Sequence, residues 1–472
     1  MWDLPRPWLL PWIALLALVA AIPLLVWPPR DRRAWFSPVA YAAWFHILPS
    51  FVAGALVLAA GFTPSFFPRI PVPDETVPWA MGLVAAGFLA LYAGYAAPVA
   101  LRAGQALSAW LPNPHWPDRA LAPVALAALA TAAIINAAAF RLGLIGFQAS
   151  TAASSFAAAG TMLAGVSAAT ATLLLMQVVL RREAGRWRMA AAAALAAWVL
   201  IDTLASGRRG ALVQFVVLGI GTWILAGGRS ARVTPRRLVT IGSLGAAAIV
   251  VGMMYGTTLR AVLGSDEAAR TPEQYATAAV EAVRIVADRG VTGNLAFAMG
   301  RFAERLEIVS SVALIVGNAD RLAPFEAAYG LTDNIRSSAV SALVPRVVWP
   351  DKPTVSDPRA VGELYFGYRN SYAITPVADL VRNFGPWGVP VGMALLGALL
   401  RVLYAALIEG RQPSAGRITT YIVLMTAVSY EGFYGSILPV LLRTALILAV
   451  LLTGVHVAVR LVQRAWPASA RT

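Results

Sequence analysis

Residues 344–353 read VPRVVWPDKP and lie within 257–385, the one long segment that does not resemble a membrane span. Three prolines in ten residues exclude a regular helix or a central strand, because each proline fixes φ and removes a backbone donor. The stretch also contains Arg346, Trp349 and Lys352, and the last of these is the only lysine in the chain. The pattern predicts a stiff, shaped loop in a region where polar groups can be assembled.

The composition around this segment is that of a membrane protein. The 472 residues are 59% hydrophobic and 13% charged, with a mean hydropathy of +0.68, whereas about a quarter of a soluble chain is charged. The chain has no cysteine, which excludes disulfides and thiolate metal sites. The net charge of +15 is nearly all arginine, and in a membrane protein it marks cytoplasmic loops rather than nucleic-acid binding.

Apolar runs of about 20 residues suit helices that cross a hydrocarbon core of about 30 Å. We predict an all-α polytopic membrane protein with eleven transmembrane helices, or twelve if one is missed, and one large helical extracytoplasmic segment. The predicted spans are 8–27, 39–61, 78–101, 120–140, 158–180, 189–205, 211–226, 238–256, 386–408, 418–433 and 436–459. This divides the chain into transmembrane helices 1–8 (1–256), the extracytoplasmic segment (257–385), and the last three helices with a cytoplasmic tail (386–472).

The orientation follows from the arginines of the short connections. One set of connections carries 18 arginines and the opposite set carries five. Because cytoplasmic loops are enriched in arginine, the first set is predicted to be cytoplasmic, with the N-terminus outside and the C-terminus inside. The 257–385 segment then lies on the outer face. It contains 13 basic and 14 acidic residues, and stretches such as 277–289 and 301–317 have helical periodicity with charged faces.

The sequence Ser206-Gly207-Arg208-Arg209-Gly210 caps a predicted hairpin on the outer face. The two arginines could simply extend to lipid phosphates, as is common at helix ends. Alternatively they form an anion clamp, since the glycines permit close backbone approach and paired guanidiniums make bidentate contacts to phosphate. Both interpretations stay open at this point.

A second polar group follows the proline-rich stretch. Aromatic rings mixed with carboxylates and guanidiniums are what a sugar-binding cleft needs, although an ordinary polar connection is the alternative. The residues are Arg359, Glu363, Tyr365, Tyr368, Arg369, Asp379, Arg382 and Asn383.

Charged groups inside the predicted spans are costly in lipid. Glu431 and Arg443 could pair across the last hairpin, or they could extend the outer cavity. We expect Arg401 to extend toward the cytoplasmic interface and His46 to be a packed polar residue.

Several motifs are absent from the sequence. There is no H-E-x-x-H, Walker A, G-x-G-x-x-G or D-x-D motif, and no histidine is predicted on the outer face. We therefore predict no metal and no cofactor. A reaction at the outer face without ATP needs a substrate that is already activated.

Three elements resemble the O-antigen polymerase (Wzy-type) family, also called oligosaccharide repeat-unit polymerases. Ser206–Gly210 is similar to its S-G-x-R-G element, with Arg209 at the arginine position. Residues 344–353 resemble its I-P-R-x-x-W-P-x-K-P signature, with valine in place of the leading isoleucine. Residues 382–388, Arg-Asn-Phe-Gly-Pro-Trp-Gly, resemble its N-F-G-x-x-G element. The order of the elements also matches, so the resemblance covers residues 200–410, with fewer spans overall than the family usually has.

The resemblance implies a C-type membrane glycosyltransferase in the bacterial inner membrane. Such an enzyme polymerises undecaprenyl-pyrophosphate-linked oligosaccharide repeat units into O-antigen, capsule or exopolysaccharide at the periplasmic face, by inverting transfer without a metal. The implied partners are the lipid-linked oligosaccharides, membrane lipid, a flippase and a chain-length regulator, and no nucleic acid.

Roles for individual residues follow from this chemistry. Charge that develops on the leaving pyrophosphate needs fixed cations, and we predict Arg209 and Arg346 with support from Arg208, Arg336 and Lys352. Without an outer histidine the general base has to be a carboxylate, and we predict Glu363 or Asp379, with Asp333 and Asp351 as alternatives. The residues predicted to bind the glycan are Trp349, Tyr365, Tyr368, Arg382 and Asn383.

Two other functions compete with polymerisation. A ligase-like transferase would share the pyrophosphate clamp and deliver a finished glycan to another acceptor. A polysaccharide or glycolipid transporter would show internal repeats or paired broken helices, and the sequence shows neither.

Overall fold

Helices make up the regular secondary structure of the part of the chain that the computed structural model describes, and no strand occurs there. The described residues are 3–26, 31–145, 155–180, 185–206, 211–226, 235–263, 272–342, 344, 349, 356–368, 372–409 and 412–465.

The α-helices are numbered in chain order. They are α1 (Leu10–Val26), α2 (Pro38–Ala42), α3 (Gly54–Ala59), α4 (Pro73–Ala96), α5 (Pro98–Trp110), α6 (Asp118–Arg141), α7 (Ser155–Leu180), α8 (Arg186–Ser206), α9 (Ala211–Ala226), α10 (Pro235–Leu263), α11 (Pro272–Leu306), α12 (Val309–Glu326), α13 (Asn334–Ala342), α14 (Pro358–Val361), α15 (Pro376–Phe384), α16 (Gly388–Leu407), α17 (Ala415–Ala427) and α18 (Tyr434–Ala465). Two π-helical segments, Ala43–Ala53 and Gly362–Phe366, join α2 to α3 and extend α14.

Eight helices in the described part of the chain are long and apolar enough to cross a membrane, which supports a multi-pass membrane protein. They are Pro7–Val26, Pro38–Ala59, Pro73–Ala96, Asp118–Arg141, Ala159–Leu180, Gly245–Leu263, Gly388–Leu407 and Tyr434–Ala465. Each coincides with a predicted span.

The other three predicted spans also fall on helices, but these helices are not among the eight. Helix α8 has 21 residues and Asp202 lies inside it. Helices α9 and α17 have 16 and 13 residues, shorter than the roughly 20 that a span needs. The predicted span 418–433 is too long because α17 ends at Ala427. Beyond it, the carbonyl of Glu431 accepts from the backbone N–H of Ile374 at 3.0 Å.

The chain divides into two compact units. Unit 1 comprises Met1–Leu111, Phe302–Arg411 and Leu424–Arg443, and unit 2 comprises Pro112–Arg301, Gln412–Val423 and Thr444–Thr472. In unit 1, α16 packs along α4 and α5, and α12 packs on α4 and α15. In unit 2, α7 packs against α6, α8 and α9. The predicted 257–385 segment is therefore shared between the units, with its division near Arg301.

Small residues let the helices of unit 1 approach closely. A Cβ on Gly397 of α16 would overlap the carbonyl oxygen of Leu91 in α4, and one on Gly94 of α4 would overlap that of Ala394 in α16. A Cβ on Gly104 of α5 would lie 2.6 Å from the Cβ of Ala405. Glycines at such crossings are typical of helix pairs in membranes, where close packing supplies much of the attraction.

Gly397→Ala should therefore destabilise the protein, because α4 and α16 must move apart to admit one methyl group. We expect a loss of about 1–3 kcal/mol, as for other overpacked contacts. Thermal unfolding in detergent, followed by the fluorescence of the 15 tryptophans, measures it. Gly454→Ala is the matched control, since a Cβ there meets nothing within 4 Å. Equal melting temperatures for the two variants would contradict the packing argument.

The polar segment contains two breaks that its periodicity did not predict. Within α11 the backbone leaves helical geometry at Gly290, with φ 69° and ψ 174°, a conformation that glycine adopts without the cost of a side chain. The predicted helical stretch 301–317 is divided between α11 and α12. At this division Glu307 Oε1 accepts from the backbone N–H of Ser310 at 2.8 Å, which satisfies one of the free donors at the start of α12.

Connections predicted to lie on one face of the membrane contact each other within each unit. In unit 1, Phe66 packs on Phe366 and Tyr372, which joins the connection 62–77 to the 257–385 segment. In unit 2, Asn113 Oδ1 accepts from the backbone N–H of Ser414 at 2.8 Å, which joins two predicted cytoplasmic connections. Each of these contacts joins two connections that were predicted to share a face, and the orientation of the faces stays a prediction.

Two of the charged residues in predicted spans have partners in the structure. Glu431 forms an ion pair with Arg305. Arg401 donates to Glu409 at 2.8 Å and to the hydroxyl of Tyr95 at 3.0 Å. The expectation for His46 is confirmed, since its ring packs between other aromatic rings in unit 1.

Candidate functional site

The guanidinium of Arg382 lies at the centre of a group of polar side chains in the described part of unit 1. It donates to Asp379 Oδ1 at 2.8 Å, to Glu326 Oε2 at 2.9 Å and to the carbonyl of Leu331 at 2.8 Å. The side chains of Arg382, Asp379 and Glu326 are 1%, 0% and 7% exposed. One cation therefore holds two carboxylates away from water, and the three groups carry a net charge of −1.

Local sequence explains why α15 presents these groups together. Pro376 stands in the first turn and Thr375 Oγ1 accepts from the backbone N–H of Ala378 at 3.3 Å, so the helix starts at a fixed point. It ends at Gly385, whose φ is 69°. Between these limits, positions 379, 382 and 383 are three and four residues apart and share one face of the helix.

Asparagine side chains complete the bonding of Asp379. Asn334 and Asn383 donate to its carboxylate at 3.3 and 3.2 Å, and the backbone N–H of Gly435 donates at 3.2 Å. Asn334 Oδ1 in turn accepts from Asn383 Nδ2 at 2.8 Å and from Arg382. We call the seven residues Glu326, Asn334, Ser356, Tyr365, Asp379, Arg382 and Asn383 the buried network.

Glu326 connects the network to the π-helical turn at 362–366. The hydroxyl of Tyr365 donates to Glu326 Oε1 at 2.8 Å. Burial raises the pKa of the Glu326 carboxyl, and the adjacent guanidinium of Arg382 opposes that shift. Burial likewise raises the pKa of Tyr365. For Arg382 burial lowers the pKa, but the two carboxylates outweigh this effect and the pKa is raised. The attraction between Arg382 and the two carboxylates therefore opposes the cost of burying these charges.

The network also joins two described residues that flank the proline-rich stretch in sequence. Asn334 lies in the first turn of α13, which ends at Ala342 before the stretch. Its Nδ2 donates to Ser356 Oγ at 2.8 Å, after the stretch. The start of α13 and residue 356 are therefore held together by one side-chain hydrogen bond.

Backbone strain is concentrated around this point. Four residues other than glycine have positive φ in the described part of the chain, and three of them adjoin or belong to the network: Asp333 (51°), Ser356 (64°) and Thr375 (61°). Each such residue costs about 1–3 kcal/mol and persists where the surroundings impose it, often at functional sites.

Some predicted site residues are exposed and lie beside the network. Glu363 is exposed on the turn that Tyr365 holds, and Tyr368 follows it with 52% of its surface exposed. Arg336, on α13, is 72% exposed, 4.0 Å from Asp333 and 5.8 Å from the ring of Phe384. Trp349 is 39% exposed. These four side chains are accessible to a substrate.

Other predicted site residues are placed where a substrate does not reach them. Asp379 is buried and already accepts from several donors, so it is a poor general base, and Glu363 is the better of the two candidates. Tyr365 and Arg382 are bonded to buried carboxylates, and binding a glycan would require those bonds to break. Asn383 is half-buried and bonded to Asn334. We assign these residues to positioning rather than to contact with the glycan.

Four predicted cations, Arg208, Arg209, Arg346 and Lys352, lie outside the described residues. Sequence reasoning missed Glu326, Asn334 and Gly435. Each is separated from Asp379 by about 45 residues or more, and a single sequence contains no signal that pairs such positions.

Comparison of the chain with family models, curated proteins and solved structures finds no match.

Proposed function

We propose that the chain is a membrane glycosyltransferase that polymerises oligosaccharide repeat units carried on undecaprenyl pyrophosphate. The observation that carries the proposal is the buried network. It joins Arg382 and Asn383 of one motif element to Asn334 and Ser356, which flank another element in sequence, and to the turn that presents Glu363.

The proposed reaction uses the exposed groups around this scaffold. A hydroxyl of the acceptor glycan attacks the anomeric carbon of the donor sugar, and its proton passes to the carboxylate of Glu363. The bond between that carbon and the phosphate oxygen breaks, and lipid pyrophosphate leaves with the electron pair. Attack opposite the leaving group inverts the configuration of the anomeric carbon.

Cations stabilise the leaving group in this scheme. Arg209 and Arg346 bind the pyrophosphate, and Arg208, Arg336 and Lys352 assist them. Fixed guanidiniums are suited to this task because they need no reorganisation as charge develops on the phosphate oxygens. The proposed setting is the periplasmic face of a bacterial inner membrane, with a flippase supplying the substrate and a chain-length regulator as a further partner.

The test combines purified protein in lipid nanodiscs with a synthetic undecaprenyl-pyrophosphate-linked repeat unit. A ladder of lengthened lipid-linked glycans is the expected product. Transfer of a single finished glycan to a different acceptor would indicate a ligase, and absence of any product, together with movement of the glycolipid across liposome membranes, would indicate a transporter. Either outcome overturns the proposal.

Arg209→Ala and Arg346→Ala should each slow chain growth about a hundredfold, as expected for the loss of one donor to a developing anion. The initial rate of ladder formation measures the effect. Arg102→Ala is the matched control, since Arg102 is an exposed arginine on α5 at the predicted cytoplasmic face. Normal rates of chain growth in both Arg209→Ala and Arg346→Ala would exclude the proposed binding of pyrophosphate by these two arginines.

A further inference from the structure

An aromatic cluster fixes the connection between α3 and α4 against the segment that carries Glu363. The rings of Phe366 and Tyr372 stack with centroids 4.0 Å apart, and Phe66 packs edge-on to Phe366 at 4.8 Å. Phe366 and Phe66 are buried. The position of the connection relative to the turn at 362–366 is therefore set by packed side chains.

This connection contains Arg69, the last residue of a short 3₁₀ helix, Phe67–Arg69. Its backbone carbonyl accepts from Asn318 Nδ2 at 3.2 Å, so its backbone is held by α12. Its guanidinium lies directly on Gly367, where any Cβ would overlap both terminal nitrogens. Gly367 has φ 76°, a backbone conformation that favours glycine.

The arginine is exposed. No ion pair joins Arg69 to a carboxylate in the described part of the chain. Its guanidinium carbon lies 5.9 Å from the centre of the Tyr368 ring, half of which faces outward. A planar cation beside an open aromatic ring offers bidentate hydrogen bonds and a stacking surface together.

Glu363 belongs to the same turn. The backbone N–H of Gly367 donates to the carbonyl of Glu363 at 3.2 Å, and that of Tyr368 donates to the carbonyl of Gly362 at 3.2 Å. Tyr368 is thus one turn of the chain from Glu363, the residue that the proposed function uses as general base, and Arg69 contacts the same turn at Gly367.

We propose that Arg69 and Tyr368 form a glycan subsite beside Glu363 that selects a sugar bearing an anionic group, a carboxylate or a phosphate. This inference rests on the proposed function and specifies its substrate class. The ring of Tyr368 packs on the apolar face of the sugar, and Arg69 donates two hydrogen bonds to the anionic group. Lipid phosphate is the other source of such an anion, and the open tyrosine ring beside Glu363 favours the sugar.

The experiment measures binding apart from catalysis. Saturation-transfer NMR on the full chain, in phosphatidylcholine nanodiscs, compares a glucuronic-acid-containing trisaccharide with its neutral glucose analogue. We expect the wild type to bind the acidic sugar at least tenfold more tightly, Arg69→Ala to lose that preference, and Tyr368→Ala to weaken binding of both sugars. Tyr368→Phe keeps the ring and should bind nearly as the wild type does, and Arg102→Ala is the charge control.

Equal binding of the two sugars by the wild type, or an unchanged preference in Arg69→Ala, overturns the subsite. Loss of the preference when phosphatidylglycerol replaces a third of the lipid assigns Arg69 to lipid headgroups and also overturns it. The two proposals are tested by different measurements. Ladder formation tests the polymerase, and the binding preference tests the subsite, so a protein that forms no ladder can still show the Arg69-dependent preference.

Discussion

Arg382→Ala should lower the free energy of unfolding by about 3–5 kcal/mol and abolish chain growth. Removing the guanidinium leaves Glu326 and Asp379 buried with no cation between them, and breaking a buried pair on one side costs about this much. The same change removes one bond of Asn334, whose amide also donates to Ser356 beyond the proline-rich stretch. Thermal unfolding in detergent and ladder formation in nanodiscs measure the two effects.

Two further variants separate charge from position. Arg382→Lys keeps the charge, but one ammonium cannot reproduce the separate guanidinium bonds to Asp379 and Glu326, so we expect an intermediate loss of stability. The double variant Glu326→Gln/Arg382→Met restores the net charge of −1 and should recover most of the stability without recovering activity. Wild-type stability in Arg382→Ala would falsify the assignment of this ion pair as the centre of unit 1's polar core.

The membrane character of the fold was predictable because it depends on long apolar runs. All eleven predicted spans overlap helices, and eight of these helices are long and apolar enough to cross a membrane. The ends were less predictable, since they depend on contacts distant in sequence. The run after residue 418 remains apolar, yet α17 stops at Ala427 so that Glu431 can bond to Ile374 and Arg305.

The candidate site was predictable in its residue types but not in its arrangement. Residues 382 and 383 were singled out as binding groups, and the structure places them in the network as positioning groups. Which of two carboxylates is buried depends on the partners that the fold brings to it. Asp379 accepts hydrogen bonds from Asn334 and Gly435, whereas Glu363 is exposed on a turn. The residues next to each carboxylate in the sequence do not predict this difference in burial.

A second buried carboxylate lies outside the network. Glu307 is 4% exposed, and its Oε1 accepts from the backbone N–H of Ser310 at 2.8 Å. Its Oε2 has no hydrogen-bond partner among the residues that the structure describes. A Cβ on Gly54 would lie 3.2 Å from the Cα of Glu307, so backbone packs closely here. Burial raises the pKa of Glu307 to about 7, and Ser310 and Arg6 only partly oppose that shift.

This carboxyl should make the stability depend on pH near neutrality. Since its pKa is raised in the folded state, folding retains a proton that the unfolded chain releases above about pH 4.5. The stabilisation is complete below that pH, falls as the pH rises toward 7, and is gone above it. A shift from 4.5 to about 7 corresponds to about 3 kcal/mol.

Glu307→Gln should remove this dependence, because the amide oxygen keeps the bond to Ser310 and the side chain cannot ionise. We expect the variant to be more stable than the wild type by up to about 3 kcal/mol near pH 8, and to match it near pH 4.5. Tryptophan fluorescence during thermal unfolding, recorded across this range in one detergent, gives the comparison. Glu281→Gln is the control, since Glu281 is an exposed carboxylate paired with Arg284. Parallel curves for wild type and Glu307→Gln would show that Glu307 is ionised in the folded protein at neutral pH, and would require a cation or water beside its second oxygen.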